Sequence, residues 1–364
     1  MSGQFELAID CRMALHSGIG VVIRNVIGEL VQLRPDWRLR LLGAPAEWRE
    51  GRPASDNVSN VDMRSAIYSL SEQLELRRVS AGASALWSPH YNGGVLAGVP
   101  LVVTIHDVTH LVIRDYVRLP HKRLYAELMY RAVRARAAGL IFVSDFSRRE
   151  FERVVGPASG ETYVAHNAVD QRWFVPPANA AATLPDDYVV FVGNVKPHKN
   201  LSGLLKAMKM VREKLDVSLV LVGKLDGFIT GDAEGAAEAR ELSQWVHVVE
   251  AASDEELRAI VGHAKALVFP SLYEGFGLPP LEAMAIGCPT IVSDAASIPE
   301  VCGDASAYFD PQSPADMART ITAVLQDPER LAGMVARGRA RAAEFSWNAA
   351  AETVATAIER AAGR

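Results

Sequence analysis

Short apolar runs alternate with helical patterns along the whole chain, and this alternation constrains the fold more than any other feature. Phe5–Ile9, Arg38–Leu42, Leu101–Ile105 and Leu140–Val143 read as buried strands in the first half. Val189–Val192, Leu219–Val222, Val246–Val249, Leu267–Phe269 and Thr290–Val292 read the same way in the second. Between them, apolar residues recur at helical spacing: Val22, Val26, Leu30 and Leu33, and more clearly Leu201, Leu204, Leu205, Met208, Val211 and Leu215. Such an order requires parallel sheets with helices on both faces. The 364 residues allow two domains of this kind, at roughly 150 residues each. The stretch 166–187, with three prolines and no periodicity, is the best linker. The expected organisation is an α/β domain over 1–165, a linker over 166–187 and a second α/β domain over 188–344. A helix over 345–364, behind the N-cap candidate Ser346, packs back on the first domain. Two doubly wound domains facing across a cleft place ligands at the carboxyl ends of the strands, where loops and helix starts converge.

Charge and cysteine content narrow the function. The formal net charge of −5 argues against bulk nucleic-acid binding. It is uneven: residues 1–165 carry net +3 and residues 166–364 net −8. Cys11, Cys288 and Cys302 form no CxxC pair, which fits a reducing compartment. The N-terminus has no leader-like apolar stretch and no apolar run approaches 18 residues, so a cytoplasmic chain without a membrane span is expected.

The loop richest in chemistry is FPSLYEGFGLPPLEAMAIGCPTIVSD, residues 269–294. A strand ends at Phe269, a loop with Glu274, Gly275 and Gly277 follows, and a helix begins. Because the residue before a proline avoids the α region, the expected N-cap is Pro279, with Pro280 first in the helix and Glu282 in its first turn. A carboxylate there can accept two ribose hydroxyls, and glycines with a helix start can hold a diphosphate. On spacing alone, Glu282 reads equally as a capping acid and Glu274 as a solvated loop residue. The second cluster, Gly193-Asn194-Val195-Lys196-Pro197-His198-Lys199, follows strand Val189–Val192 and aims cations at the same end of the sheet. Such cations stabilise the charge that develops on a departing diphosphate. There is no D-x-D pair to hold a metal for that purpose. In the first half, Gly18 and Gly20 read as a flexible loop near the diphosphate or the acceptor, with Arg24 as a partner or an exposed helix residue. The GxG alone lacks a third glycine. His106 and Asp107 end strand Leu101–Ile105, and Ser144 follows another strand and lines the cleft, whereas Ser147 reads as a cap. Segment 114–136 holds seven Lys+Arg among Leu119, Leu124, Tyr125, Leu128, Met129 and Val133. It reads either as a solvated helix face or as a basic amphipathic surface for anionic lipid.

Glu274 and Glu282, separated by seven residues inside PSLYEGFGLPPLEAMAIGCP, resemble the E-x7-E signature of retaining glycosyltransferases of the two-Rossmann GT-B type, family 4. VGNVKPHKNL, ELRAIVGHAKALVFPS and IPEVCGDAS follow the same family's order, and SGIGVVIRN, TIHD and FVSDFSRREF match in the first half. The resemblance implies that Glu282 binds the donor ribose and Glu274 sits by the transferred sugar. Backbone N–H groups of Gly275, Phe276, Gly277 and Leu278 meet the diphosphate or sugar. Lys199 matches the lysine of a basic pair that neutralises the diphosphate. Asn194 stands where many members have arginine, which leaves Lys196 or His198 as the second cation. His106 lies against the donor sugar, and the base is held largely by backbone near Val249. The resemblance further implies metal independence, no cofactor, and a front-face reaction in which the departing phosphate takes the acceptor proton. The motifs look most like the mannosyl- and rhamnosyltransferase branch. The expected enzyme is thus a hexosyltransferase moving mannose from GDP-mannose to a hydroxyl of a glycan or lipid-linked saccharide, with peripheral membrane contact through 114–136 at the inner face of the membrane. The alternatives are a nucleotide-sugar epimerase of the same two-Rossmann plan and a non-catalytic nucleotide-sugar-binding protein.

Overall fold

The computed structural model describes residues 4–16, 18–51, 55–113, 120–175, 184–194, 196–224 and 233–364. Ser17, Arg114–Arg118, Leu119, the middle of the proline-rich stretch (176–183) and Val195 lie outside the described residues, although the sequence reading used them. The chain forms two compact units.

The first unit comprises Met1–Val112, Leu119–Asn167 and Ser346–Arg364. Its strands are β1 (Glu6–Asp10), β2 (Arg38–Leu42), β3 (Val58–Val61), β4 (Ala85–Ser88), β5 (Leu101–Ile105), β6 (Gly139–Phe142) and β7 (Glu161–Val164). They form one sheet in the order β3-β2-β1-β4-β5-β6-β7, and every pairing is parallel. Central strands are buried on both faces, as in β5, where Leu101, Val102, Val103, Thr104 and Ile105 are all buried. The second unit, Ile113–Arg118 and Ala168–Phe345, contains β8 (Tyr188–Val192), β9 (Ser218–Val222), β10 (Val246–Val249), β11 (Ala266–Phe269), β12 (Thr290–Ser293) and β13 (Ala307–Phe309). Its order is β10-β9-β8-β11-β12-β13, again parallel throughout. In each sheet the strand order reverses once, between β1 and β4 and between β8 and β11. Those reversals are the topological switch points, where crossing connections leave a crevice for ligand at the carboxyl edge.

Four strands lie outside the sequence reading. β3 and β7 are edge strands with polar, half-exposed residues and no apolar run. β4 and β13 are only four and three residues long. The helix over Leu201–Arg212 buries Leu201, Leu204, Leu205, Met208 and Val211 against the core of the second sheet, as its 3.6-residue spacing dictates. The helix Trp347–Ala361 starts at Ser346, whose hydroxyl accepts the Ala349 N–H. It packs on the helix Ile19–Leu33 and on β5 and β6. Arg34 reaches its Glu352 and Glu359 at 3.0 and 2.8 Å. Among the described residues, no helix is long and apolar enough to cross a membrane.

Candidate functional site

In the second unit, the loops after β8 and β11 meet at the switch point. A short 3-10 turn over Pro197–Lys199 follows β8 and ends at Asn200 in the left-handed conformation (φ 58°). The Asn200 amide donates to the carbonyls of Pro270 and Pro311 at 3.2 and 2.7 Å, and Leu272 N–H donates to the His198 carbonyl at 2.7 Å. These bonds bring Lys199 over the end of β11. Its Nζ lies 2.6 Å from Glu274 Oε1, with both side chains only 15% exposed. It also sits 5.1 Å from the centre of the Phe269 ring. Two residues 75 apart in sequence thus form one charge-assisted pair. The Glu274 loop is held from behind by Ser297, whose hydroxyl contacts the carbonyls of Glu274 and Phe276 at 2.9 and 2.8 Å. Ser293 donates to the Ser271 carbonyl at 2.7 Å. The sequence reading gave Asn200 and Ser297 no role.

The helix after this loop spans Leu278–Ile286 and is capped by Gly277 at φ 106°. This corrects the expected cap at Pro279. Both prolines stand inside the first turn, where a missing N–H removes no intrahelical bond and no preceding carbonyl is there to clash. Two consequences follow. Leu278 is the only one of the first three helical residues that carries an N–H, so this start is a weaker anion site than an ordinary one. Glu282 moves to the fifth helical position, leaving no acid in the first turn. A Cβ on Gly277 would stand 2.7 Å from Ile298, and the positive φ adds strain, so glycine is required there. Burial, reinforced by the negative charges of Asp254 and Asp170, pushes the Glu282 carboxyl up to about 7. Phe276 is buried with its ring edge-on to Phe345.

The loops after β8 and β9 touch through glycine. A Cβ on Gly223 would meet the Gly193 carbonyl oxygen at 2.4 Å. Asn194 accepts the Lys224 N–H through its side chain at 3.3 Å, so it ties two loops together. Lys196 is half-buried as the residue before the turn, and His198 is buried. Val249 ends β10, and its carbonyl accepts the Gly223 N–H at 3.0 Å.

In the first unit, three expectations change. Gly18 (φ 77°) caps the helix Ile19–Leu33. A Cβ on Gly20 would lie 2.5 Å from the Ala14 carbonyl, and Arg24 donates to that same carbonyl. Gly20 and Arg24 thus both pack against the Ala14 carbonyl, and Arg24 is not an exposed helix residue. Ser144 is fully buried and caps the helix Asp145–Val154 by accepting the Ser147 N–H. Ser147, expected to be only a cap, donates its hydroxyl to the His106 carbonyl at 2.7 Å. The His106 Nε2 lies 2.8 Å from the Pro89 carbonyl and serves as the donor, with burial holding the ring below its ordinary pKa. The Asp107 carboxylate accepts the Thr109 N–H, and its carbonyl accepts the Tyr130 hydroxyl.

A buried charged group missing from the sequence reading lies at the first sheet's own switch point. Arg12, after β1, binds Asp10 at 2.6 Å and Glu72 at 2.7 Å. His90, after β4, is 3.2 Å from Asp10. Burial would raise the Asp10 pKa, but the hydrogen bonds from Arg12, with His90 alongside, outweigh it and hold the carboxyl well below the usual range. The Asn92 amide donates to Glu72 at 2.5 Å, and the Tyr125 hydroxyl donates to Asn92 at 2.5 Å. The available signal was the acid–base pair Asp10 and Arg12 directly after a strand.

Known proteins resemble the chain over nearly its whole length. The model for glycosyl transferases group 1 matches residues 177–341, and that for Glycosyltransferase Family 4 matches residues 16–173. O-antigen chain mannosyltransferase B of Escherichia coli is 30% identical over 265 residues, 70% of this chain and 68% of that protein. An MMP alpha-(1->4)-mannosyltransferase of Mycolicibacterium hassiacum is 32% identical over 284 residues, 73% of this chain and 67% of that one. Among solved structures, sucrose-phosphate synthase from Thermosynechococcus elongatus superposes with a TM-score of 0.78 at 20% identity, over 98% of both chains.

Proposed function

Given that the chain belongs to the group 1 glycosyl transferases of glycosyltransferase family 4, we propose that it moves mannose from GDP-mannose to a hydroxyl of a glycan or lipid-linked saccharide. The family is one of retaining hexosyltransferases, and the two parallel sheets are the GT-B fold. The observation that carries the reading is the Lys199–Glu274 pair at the switch point of the second sheet. Mannose is favoured because the relatives described above bear mannosyltransferase names.

In this reading the second unit binds the donor and the first unit binds the acceptor. Glu282 accepts the ribose hydroxyls. Gly193 and the Gly275–Leu278 backbone approach the diphosphate and the sugar. Donor entry separates Lys199 from Glu274: the ammonium moves to the diphosphate, and the carboxylate accepts hydroxyls of the mannosyl ring. As the glycosyl–phosphate bond breaks, negative charge grows on the diphosphate and Lys199 stabilises it where it forms. The acceptor oxygen attacks from the same face, and the departing phosphate takes its proton. The cation replaces a metal in this scheme, so activity is expected to survive EDTA. Abolition by EDTA with rescue by Mn²⁺ or Mg²⁺ would overturn that part.

A thermal-shift panel of GDP-, UDP-, dTDP- and ADP-sugars tests the donor. A ligand at 100 times its Kd stabilises the native state by about 2.7 kcal/mol. GDP-mannose is expected to give the largest rise in Tm; a larger rise with a UDP-sugar would replace it. The reading includes peripheral contact with anionic lipid through 114–136. Its support is Leu124 and Leu128, 56% and 57% exposed on the helix Pro120–Arg136 beside exposed Lys122, Arg123 and Arg131.

A further inference from the structure

We infer that Ser297 is a positioning residue for the donor's diphosphate: its hydroxyl turns the peptide between Phe276 and Gly277 so that the Gly277 N–H faces the end of β8, where Lys199 lies. This role rests on the reading that the second unit binds the donor, and it names the group that orients one contact there.

The sheet order sets the frame. β11 lies between β8 and β12, so the loop after β11 runs between the loops that follow those two strands. Its first peptides show how it is held. The Ser271 carbonyl accepts the hydroxyl of Ser293, at the end of β12, at 2.7 Å. The N–H of the same peptide, on Leu272, donates to the His198 carbonyl after β8, also at 2.7 Å. A trans peptide is planar and carries its C=O and N–H in opposite directions, and no described peptide is cis. One peptide thus spans the gap, carbonyl toward β12 and amide toward β8. Ser297, in the turn after β12, repeats the arrangement further along. Its hydroxyl lies 2.9 Å from the Glu274 carbonyl and 2.8 Å from the Phe276 carbonyl. With the Phe276 carbonyl drawn to that side, the Gly277 N–H points away from it, toward β8 and Lys199.

Ser297 is fully buried, so its hydroxyl cannot exchange these acceptors for water. One proton serves both carbonyls in a shared bond. The next residue in the same turn, Ile298, stands 2.7 Å from where a Cβ on Gly277 would be. Ser297 and Ile298 therefore hold the Gly277 peptide from one side, and the opposite side presents an N–H. A donor fixed in advance needs no reorganisation when negative charge grows on the diphosphate, and it adds to the Lys199 ammonium. The bond to the Glu274 carbonyl anchors the backbone behind the carboxylate that meets Lys199 at 2.6 Å. Without the hydroxyl, the Phe276 carbonyl loses its partner and the peptide its direction.

The test is calorimetric titration of the full chain with GDP, GMP, UDP and UMP. The ratio of diphosphate to monophosphate affinity isolates the terminal phosphate. The unaltered chain is expected to prefer at least one diphosphate over its monophosphate by about tenfold or more. Ser297→Ala is expected to cut that preference by about fivefold or more, with monophosphate affinity held within about twofold. Ser297→Thr keeps the hydroxyl and is expected to hold the preference within about threefold of the unaltered chain. Ser293→Ala removes a buried hydroxyl from the same loop, but from a peptide whose N–H is already bonded to His198. It is expected to keep the preference. An unchanged preference in Ser297→Ala, a loss in Ser297→Thr as large as in Ser297→Ala, or an equal loss in Ser293→Ala overturns the positioning role and leaves the donor reading standing. An unaltered chain that binds neither diphosphate overturns the donor reading, and the role of Ser297 falls with it.

Discussion

At Glu282 the protein holds a carboxylate where ionisation is disfavoured. Burial, with Asp254 and Asp170 nearby, raises its pKa from 4.5 to about 7. Between those values the folded state binds a proton that the unfolded state has released, so stability falls as pH rises through the window. Above pH 7 the destabilising term is fully present. Under the proposed function, ribose hydroxyls would donate to the ionised form and so reverse the preference. Donor affinity is therefore expected to rise with pH up to about 7 and then level off. Below pH 7, binding is expected to release a proton, visible in calorimetry as a heat that depends on the buffer's ionisation enthalpy. Glu282→Gln should abolish the buffer dependence, and Glu282→Ala should weaken the donor by about 1.5–3 kcal/mol, the scale of hydrogen bonds to a charged group. Donor affinity that ignores both pH and the substitution would remove Glu282 from the ribose site. The pair beside it behaves differently. Glu274→Gln and Lys199→Met are each expected to lower kcat more than they raise KM, because their contacts strengthen only as charge develops. A loss lying wholly in KM would instead indicate uniform substrate binding.

At the scale of elements, the loops after strands carry the candidate site, and most of them are legible in the sequence for a simple reason. A residue that follows a buried strand stands at the carboxyl edge whatever the distant packing does. Lys199, Glu274, His106 and Asp107 were legible in that way. Contacts made across the chain were not. Glu72 lies in a helix with few apolar positions, and its partner Arg12 is 60 residues away. Ser297 acts through carbonyls that any sequence would supply. The cap at Gly277 is hidden from the pre-proline rule, because a first turn tolerates prolines that a helix interior does not. The glycines also differ in ways that spacing hides: Gly223 is fixed by the approach of another backbone as well as by its φ of 139°, whereas Gly18 is fixed by its φ alone. Gly223→Ala is therefore expected to force β8 and β9 apart at their ends. Donor-induced stabilisation in the thermal-shift panel should fall, together with a Tm loss from the roughly 1–3 kcal/mol cost of a strained residue. An unchanged Tm would show that the two loops yield without strain.

For the whole molecule, the uneven charge gains a physical reading. Residues 166–364 carry net −8, so under the proposed function, which gives them the anionic donor, attraction there would be local and centred on Lys199. Residues 1–165 carry net +3, and their excess lies largely in 114–136. The structure adds a neighbouring element to that segment. Tyr125 on the helix Pro120–Arg136 bonds to Glu72 on the helix Leu70–Val79, so the two helices are adjacent. The second helix exposes Leu70 and Leu74, 84% and 64% exposed, with exposed Arg77 and Arg78 in its last turn. Leucines left in water beside arginines match a surface with an apolar interior and anionic headgroups. Each basic residue near such a surface contributes about 1 kcal/mol, falling off within a Debye length. The chain is expected to co-sediment with liposomes rich in phosphatidylglycerol and to be released as salt rises. Neutral phosphatidylcholine should retain much less. Replacing Leu124 and Leu128 with serine should weaken binding to the anionic vesicles without altering its salt dependence, because the apolar contribution is lost and the charges remain. Retention that ignores lipid charge would remove the membrane contact and leave the helix Pro120–Arg136 with a merely solvated face.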